Sequence, residues 1–205
     1  MRTTFIETLS QAASENPDIW LLCGDLGYSA LEPFAAKFPE RYLGVAEQNL
    51  AGIAAGIALS GKTVFIYSIG NFPTLRCLEQ LRYDVCYHGA DVKVVAVGAG
   101  YAYGSQGYTH RALEGAGIMS MLPGTEVFVP CDVGETSLPP IMAIRNSGYC
   151  RHSGGGLIAD DLHQRLQVAT ARDVSLSSPI RHFHPAARFG PTGSAVLRPA
   201  SQACP

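Results

Sequence analysis

A single acidic residue, Glu47, stands at the start of an apolar segment, "GVAEQNLAGIAAGIALSG", which spans residues 44–61. A buried carboxylate is costly unless a partner binds it. The positive end of a helix dipole favours an anion in the first turn, so a helix-start charge with no other role is the simpler interpretation. The residues alone therefore leave two roles open for Glu47: a helix-start charge or a binding group.

Three glycines, at positions 98, 100 and 104, follow an apolar strand in "VVAVGAGYAYGSQG". Their spacing is GxGxxxG, whereas the dinucleotide-binding fingerprint is GxGxxG and opens a helix. We therefore expect a strand-end loop that needs positive backbone angles rather than a nucleotide site. The four histidines after residue 150 predict no metal site, because they lack carboxylates or cysteines at ligand spacing.

The composition excludes several classes of function. Apolar residues make up 47% of the 205 residues and charged residues 16%, which indicates extensive burial in a core or against a partner. A formal charge of −2 without a basic run argues against nucleic-acid binding. The longest apolar run, residues 50–59, is too short to span a membrane. Six cysteines without a CxxC pair, and a start without a secretory signal, predict reduced thiols and a cytoplasmic location.

Apolar periodicity predicts alternating helices and strands up to about residue 145. Helices are expected after a Thr4–Glu7 capping box, over "LEPFAAKF", from Glu47 to Leu59, from Pro73, and over "RALEGAGIMSML". The predicted strands are "IWLLC", "RYLGV", "KTVFIYS", "VKVVAV" and "TEVFVP". Continuous apolar strands are typical of a parallel sheet covered on both faces. The predicted fold class is therefore α/β, a doubly wound, mainly parallel sheet with helices on both faces.

Residues 146–205 differ in composition from the predicted domain, residues 1–145. From residue 151 onwards there is no Lys, Glu, Trp, Tyr or Met, but there are five prolines and four of the six histidines. Two interpretations stay open: a disordered extension, or a segment read out of frame after a slip near residue 148. Neither interpretation gives the tail a function.

Four stretches occur in the order in which one enzyme family carries them. They are "DIWLLCGDLGYS", "GVAEQNLAGIAAGIALSGKTVFIYS", "NFPTLRCLEQLRYDVCYH" and "GYTHRALEGAGIMSMLPGTEVFVPCD". Together they resemble the pyrimidine-binding domain of the transketolase family, whose relatives include deoxyxylulose-phosphate synthase and the β chains of 2-oxoacid dehydrogenases. The resemblance covers residues 2 to about 135, and its most specific part is the acid before a small-residue helix, followed later by "GYTH".

The resemblance implies thiamine diphosphate chemistry at Glu47. This residue stands where the family places the glutamate that hydrogen-bonds N1′ of the cofactor's aminopyrimidine. A charge-assisted bond there favours the imino tautomer, whose nitrogen can accept the C2 proton of the thiazolium ring. The cofactor supplies the electron sink, and the protein supplies orientation and the proton path. This implied role explains an acid beside so much apolar surface.

The resemblance also implies roles for other residues. Phe72 is the candidate for the aromatic ring that stacks on the pyrimidine, and Tyr67 is the alternative. Phe72 can also be interpreted as a core aromatic that precedes a helix. His110 in "GYTH" matches a histidine that faces the substrate and can shuttle a proton near neutral pH, and a backbone-bonded loop histidine is the alternative. Three further positions align with the family's site: Asp25 on the cofactor side, and Ser29 and Arg2 on the substrate side.

Several positions depart from the transketolase pattern. Tyr108 replaces a usual proline, Gln106 replaces an acid that helps select substrate hydroxyls, and Gly98 lies near a usual phosphate-contacting histidine. These departures argue against ordinary sugar-phosphate specificity. The strand expected after "CDVGET", with its substrate-facing arginine, is not recognisable in "SGYCRHSGGG".

The family's diphosphate-binding domain has no counterpart in this sequence. That domain holds Mg²⁺ with a GDG motif and a later asparagine, and no GDG occurs here. The resemblance therefore implies a split enzyme, in which a partner chain holds the Mg²⁺ and this chain provides no metal ligand. Such an enzyme would transfer a two-carbon ketol unit between small sugars only when both chains are present. Small residues along the helix from Glu47 to Leu59 also predict a homodimer contact.

Two other functions stay open at this point. A truncated, non-catalytic assembly subunit would fit the tail's composition, the missing strand and Gln106. A β chain of a 2-oxoacid dehydrogenase would keep the cofactor and change the reaction, although His110 favours a transketolase.

Overall fold

The computed structural model describes residues 2–24, 30–98, 100–130 and 136, and the backbone of residues 148–152. All of them lie in one compact unit, residues 1–167. The helices are α1 (Arg2–Glu15), α2 (Glu32–Lys37), α3 (Glu47–Leu59), α4 (Leu78–Gln80) and α5 (Gly115–Met121). The strands are β1 (Ile19–Cys23), β2 (Tyr42–Gly44), β3 (Thr63–Ile69), β4 (Val92–Val97), β5 (Glu126–Phe128) and β6 (Gly148–His152).

The six strands form one sheet in the order β2-β1-β3-β4-β6-β5, and every neighbouring pair is parallel. Apolar side chains leave both faces of the central strands, so each face carries a core. In β3, Phe65 and Tyr67 pack with α1 and α2, whereas Val64 and Ile66 pack with α3. The predicted α/β fold with a parallel sheet and helices on both faces is confirmed.

The chain changes direction across the sheet between β1 and β3. The connection from β1 to β2 contains α2, on one face, and the connection from β2 to β3 contains α3, on the other. In open α/β sheets such a reversal leaves a crevice at the carboxyl ends of the two strands, where ligands bind. The fold therefore directs attention to the residues that follow β1 and β3 and to the start of α3.

Several elements agree closely with the expectations from the sequence, and others differ for local reasons. α3 and β4 have the predicted bounds. α1 begins at Arg2, so Thr4 lies inside the helix and the predicted capping box does not form. The segment after Pro73 is a 3₁₀ turn (Leu75–Cys77), then α4, then a π turn (Leu81–Cys86), which places Leu75 on the surface and Cys77 in the core.

α5 is shorter than expected. It begins at Gly115. Shortly before it, Ala112 pairs with Gly100 in an antiparallel bridge, and this pairing keeps the chain extended there. Gly98 and Gly100 both have positive φ angles, as expected for the strand-end loop. Within the described ranges, no helix has both the length and the apolar character needed to cross a membrane.

The strand that is not recognisable from its residues is β6, "GYCRH". It lies between β4 and β5 and pairs with both. A strand held by backbone hydrogen bonds on two sides does not need a continuous apolar run, and this one has none. The sheet therefore continues past the boundary expected near residue 145. The two interpretations of the tail, a disordered extension or a segment read out of frame, concern residues 153–205, which lie outside the described ranges.

α3 buries one side and exposes the other. Leu50, Ala51, Ala54 and Ala58 face the sheet, whereas Gly52, Ile53, Gly56 and Leu59 lie on the outer side. In the single chain, α3 is therefore buried only on the side that faces the sheet. Alanines on that side let the helix lie close to β3.

Replacing Ala54 by leucine is expected to destabilise the fold, because Ala54 is 0% exposed and three added carbon atoms have no space. Overpacking of this kind lowers the free energy of unfolding by about 1–3 kcal/mol. The matched control is Gly117→Ala on the exposed side of α5, where an added Cβ meets nothing within 4 Å. The control should be neutral or stabilising by up to about 1 kcal/mol. Urea unfolding measures both, and equal effects would contradict the packing described for α3.

Candidate active site

The carboxylate of Glu47 lies at the reversal point of the sheet. It belongs to the first residue of α3, and the residue is 8% exposed. Ser68, in β3, donates a hydrogen bond from Oγ to Glu47 Oε1 at 3.2 Å. Arg76 donates from Nη1 to Glu47 Oε2 at 3.0 Å. The buried acid thus has one partner on each oxygen, and the helix N-terminus favours its negative charge.

Gly24 makes room for this carboxylate. It directly follows β1, and its backbone N–H donates to the Tyr67 carbonyl at 3.1 Å. A Cβ at this position would lie 2.8 Å from Glu47 Oε1 and 2.9 Å from Ser68 Oγ. Only a residue without a side chain lets the acid and the hydroxyl approach each other across the end of β1.

Arg76 connects the acid to an aromatic pair. The Cζ atom of its guanidinium is 4.4 Å from the centroid of the Phe72 ring. That ring meets the His110 ring edge-on, with 5.1 Å between centroids. Glu47, Phe72 and His110, three residues singled out from the sequence, are therefore brought together, and Arg76 is the link between the first two.

The loop that carries His110 is fastened to the segment before Phe72. Asn71 donates from Nδ2 to the backbone carbonyls of Thr109, at 3.4 Å, and Arg111. His110 Nδ1 is 3.0 Å from Thr109 Oγ1. Asn71 Oδ1 is buried and has no hydrogen-bond partner within the described ranges. The imidazole is therefore held beside Phe72 by contacts on both of its neighbours.

Tyr67, the alternative to Phe72, is not placed for stacking on a ligand. It is 3% exposed, and its ring is stacked with Phe5 of α1 at 6.2 Å, on the opposite face from Ser68. Burial raises the pKa of the Tyr67 hydroxyl. Phe72 is only half-buried, and its ring lies against Arg76, which is the ion-pair partner of Glu47. The geometry thus favours Phe72 as the aromatic of this site.

The backbone at the start of α3 has a sulfur donor. Cys77 Sγ donates to the Glu47 carbonyl oxygen at 2.9 Å. Burial, with a smaller contribution from the negative charge of Glu47, raises the pKa of the Cys77 thiol to about 12. The thiol is therefore protonated at neutral pH and can act as a donor to the helix start.

Arg2, a further predicted site residue, has no contact with Glu47 within the described part of the chain. Arg2 is exposed at the start of α1, and its charge acts on Tyr67, lowering the pKa of that hydroxyl against the larger effect of burial. Asp25 and Ser29 lie outside the described ranges. Their proposed cofactor-side and substrate-side roles stay predictions.

Two depressions in the described part of the chain lie near these residues. A cavity of about 90 Å³ adjoins the His110 loop and is lined by Asn71, Tyr101, Tyr108 and Arg111, among others. A shallow depression of about 480 Å³ lies on the outer side of α3, by Gln48, Gly52 and Ile53. Glu47 lines neither of them. No group of three His, Cys, Asp or Glu side chains in the described ranges is arranged to hold a metal.

Three residues of the site were missed from the sequence, for two different reasons. Gly24 and Ser68 come close to Glu47 only because β1 and β3 are neighbours in the sheet. Arg76 follows Phe72 by four positions, a spacing at which side chains in helical turns can meet. That spacing was the one available signal.

Comparison with known proteins places these residues in a family. Residues 1–148 match the family model described as "Transketolase, pyrimidine binding domain". One of the subunits of the apulose-4-phosphate transketolase of Phocaeicola vulgatus is 37% identical over 138 residues. A putative transketolase C-terminal section of Methanocaldococcus jannaschii is 39% identical over 139 residues. Each match covers 66% of this chain and 44% of the relative, so the chain spans less than half the length of these two proteins.

A solved structure agrees with the same family. It is described as a split gene transketolase, an inactive β4 tetramer, and superposes with a TM-score of 0.65 at 35% identity. The match covers 76% of this chain and 52% of that chain.

Replacing Gly24 by alanine is expected to push the Glu47 carboxylate and the Ser68 hydroxyl apart. Because both contacts are with side-chain ends that can shift, the loss in free energy of unfolding should be about 1 kcal/mol, at the low end for overpacking. Gly44→Ala, at the end of β2, is the matched control, since its added Cβ meets nothing within 4 Å. Urea unfolding compares the two. A destabilisation by Gly24→Ala no larger than that of Gly44→Ala would contradict the crowding described here.

Proposed function

This chain belongs to the transketolase pyrimidine-binding domain family, and from that premise we propose that it is the pyrimidine-side subunit of a split, thiamine-diphosphate-dependent transketolase. It would transfer a two-carbon ketol unit between small sugars, and only when assembled with a diphosphate-binding subunit that holds Mg²⁺. The observation that carries this proposal is the buried carboxylate of Glu47 at the reversal point of the sheet, connected through Arg76 to a half-buried aromatic ring, Phe72, that contacts a histidine.

The residues present fit the pyrimidine half of the cofactor. A carboxylate can form a charge-assisted hydrogen bond to a ring nitrogen, and the half-buried Phe72 ring offers a surface for stacking. Once bound, the cofactor would supply the electron sink for making and breaking the carbon–carbon bond. Glu47 would orient the pyrimidine and hold a proton at its ring nitrogen. Mg²⁺ binding is assigned to the partner, by the resemblance alone.

His110 would handle a proton on the substrate side. Its ring lies beside Phe72, and the Asn71 contacts fix the loop that carries it. An imidazole can both accept and donate a proton, which is what a proton shuttle beside the substrate requires. The 90 Å³ cavity lined by Tyr108 and Arg111 adjoins this loop and is the candidate place for part of the sugar. A relative named for apulose-4-phosphate supports a sugar as substrate, and the individual sugar would depend on these loop residues.

We also propose a homodimer contact through the outer side of α3. Gly52, Gly56, Ile53 and Leu59 are exposed there, with Ile53 at 39% and Leu59 at 56%. Small residues let a second helix approach closely, and the exposed apolar side chains would gain from being covered. The description of the solved relative as a β4 tetramer supports self-association of such chains. A cytoplasmic location stays a prediction.

Replacing Glu47 by alanine is expected to abolish ketol transfer by the assembled enzyme. The loss of a group that positions and protonates a reacting partner should lower the rate by about 10²- to 10⁴-fold. The matched control is Glu79→Ala, an exposed glutamate of α4, which should leave the rate unchanged. The assay combines this chain with a diphosphate-binding transketolase subunit, Mg²⁺ and thiamine diphosphate. Wild-type transfer by the Glu47→Ala enzyme would exclude the proposed mechanism.

Replacing Gly56 by glutamate is expected to dissociate the proposed homodimer. The change puts a charge on the outer side of α3, where an added Cβ meets nothing within 4 Å, so the chain should still fold. Gly117→Glu is the control, because Gly117 is likewise exposed and uncrowded but lies on α5. Light scattering after size-exclusion chromatography should give a dimer mass for the wild type and the control, and a monomer mass for Gly56→Glu. A wild-type monomer, or an unchanged mass for Gly56→Glu, would contradict the contact.

A further inference from the structure

The guanidinium of Arg76 makes both of the contacts that the proposed function assigns to the cofactor's pyrimidine. Its Nη1 donates to Glu47 Oε2 at 3.0 Å, and its Cζ lies 4.4 Å from the Phe72 centroid. A guanidinium and an aminopyrimidine are both flat and both carry N–H groups at their edge. We infer that Arg76 occupies the pyrimidine position in the free chain and must swing out before the cofactor can bind. This inference rests on the proposed function.

Arg76 and a pyrimidine cannot hold the site at the same time. Stacked groups lie within about 3.5–4.0 Å of each other, so the Phe72 face under the guanidinium has no space for a second flat group. The Phe72 ring is half-buried, and the Arg76 side chain that covers this face is 51% exposed. A ligand that arrives from solvent on this side therefore meets the guanidinium before it meets the ring. The inner side of the Glu47 carboxylate is already closed by Ser68 and by the backbone at Gly24. Among the described residues, Arg76 is therefore the group that a ligand must replace to contact both the acid and this face of the ring.

The side chain is also suited to leaving. Arg76 lies in a single 3₁₀ turn, and the long stem of an arginine can rotate its head into solvent without moving the backbone. Half-exposed ion pairs are weak, so the state in which Arg76 binds Glu47 can form and still open readily. While it lasts, the contact gives the otherwise buried Glu47 charge a partner before any cofactor arrives. Arg76 would thus compensate the charge of Glu47 and exclude weak ligands in the unassembled subunit.

A second arrangement makes the opposite prediction about affinity. If Arg76 stayed in place and only oriented Glu47 for the cofactor, its removal would weaken cofactor binding. If Arg76 competes with the cofactor, its removal must strengthen binding. The direction of the change therefore decides between the two.

The test is a calorimetric titration of the full-length chain, without a partner, with thiamine diphosphate. An ion pair of this exposed kind is expected to be closed in roughly four-fifths of molecules, so Arg76→Ala should bind roughly fivefold more tightly than the wild type. Arg82→Ala is the control, because it removes the same charge from an exposed arginine that contacts Tyr83 and not the site. In a Glu47→Ala background the gain from Arg76→Ala should shrink, because the competing ion pair is already absent.

Equal or weaker binding by Arg76→Ala, a gain of the same size in Arg82→Ala, or no detectable binding by the variant would each overturn the competition. Thermal unfolding of the variants checks that they are folded, which is expected because Arg76 is on the surface. The transfer assay with Glu47→Ala separates this result from the proposed function. If Glu47→Ala abolishes transfer while Arg76→Ala binds no more tightly, only the role of Arg76 is wrong. If Glu47→Ala leaves transfer intact, the proposed function itself is wrong.

Discussion

The buried carboxylate of Glu47 is the constraint to which the surrounding residues are adapted. A charge that is almost fully removed from water needs compensation at each oxygen, and here Ser68, Arg76 and the start of α3 provide it. Gly24 has no side chain because one would meet that carboxylate. The hydrogen-bond donors, Ser68 and Arg76, and the missing side chain at Gly24 are needed together. Neither alone would let an acid lie at the ends of two buried strands.

The topology explains why this acid is where it is. The reversal between β1 and β3 separates the crossovers that contain α2 and α3, and it leaves the ends of two strands uncovered. α3 begins at that gap, so its first residue and its dipole both point to it. Phe72 and His110 then reach the same region from the segments that follow β3 and β4. Residues from four separate parts of the chain meet because the sheet is parallel and all its carboxyl ends lie at one edge.

The sequence predicts the parts of this molecule that depend on local pattern. α3 is recognised by its run of small and apolar residues, 50–59, and Glu47 stands out as the one acid at its start. β6 was not recognised, because its place in the sheet comes from backbone pairing with β4 and β5 rather than from apolar side chains. The short π-helix after α4, Leu81–Cys86, was missed as well. Its wider turn changes which side chains face the core, and the amino-acid composition of the segment gives no sign of this change. Arg76 and Gly24 acquire their importance only through neighbours distant in the chain, which no single window of residues reveals.

One consequence concerns the helix that begins with the acid. The 13 residues of α3 form a stiff rod about 20 Å long, with Glu47 at one end and the glycines of its outer side along its length. Any molecule that settles against those glycines presses on the same rigid body that aims the carboxylate. A homodimer formed through this side, as proposed above, would therefore couple its own assembly to the orientation of the acid, and a subunit that associated wrongly would hold its acid at the wrong angle.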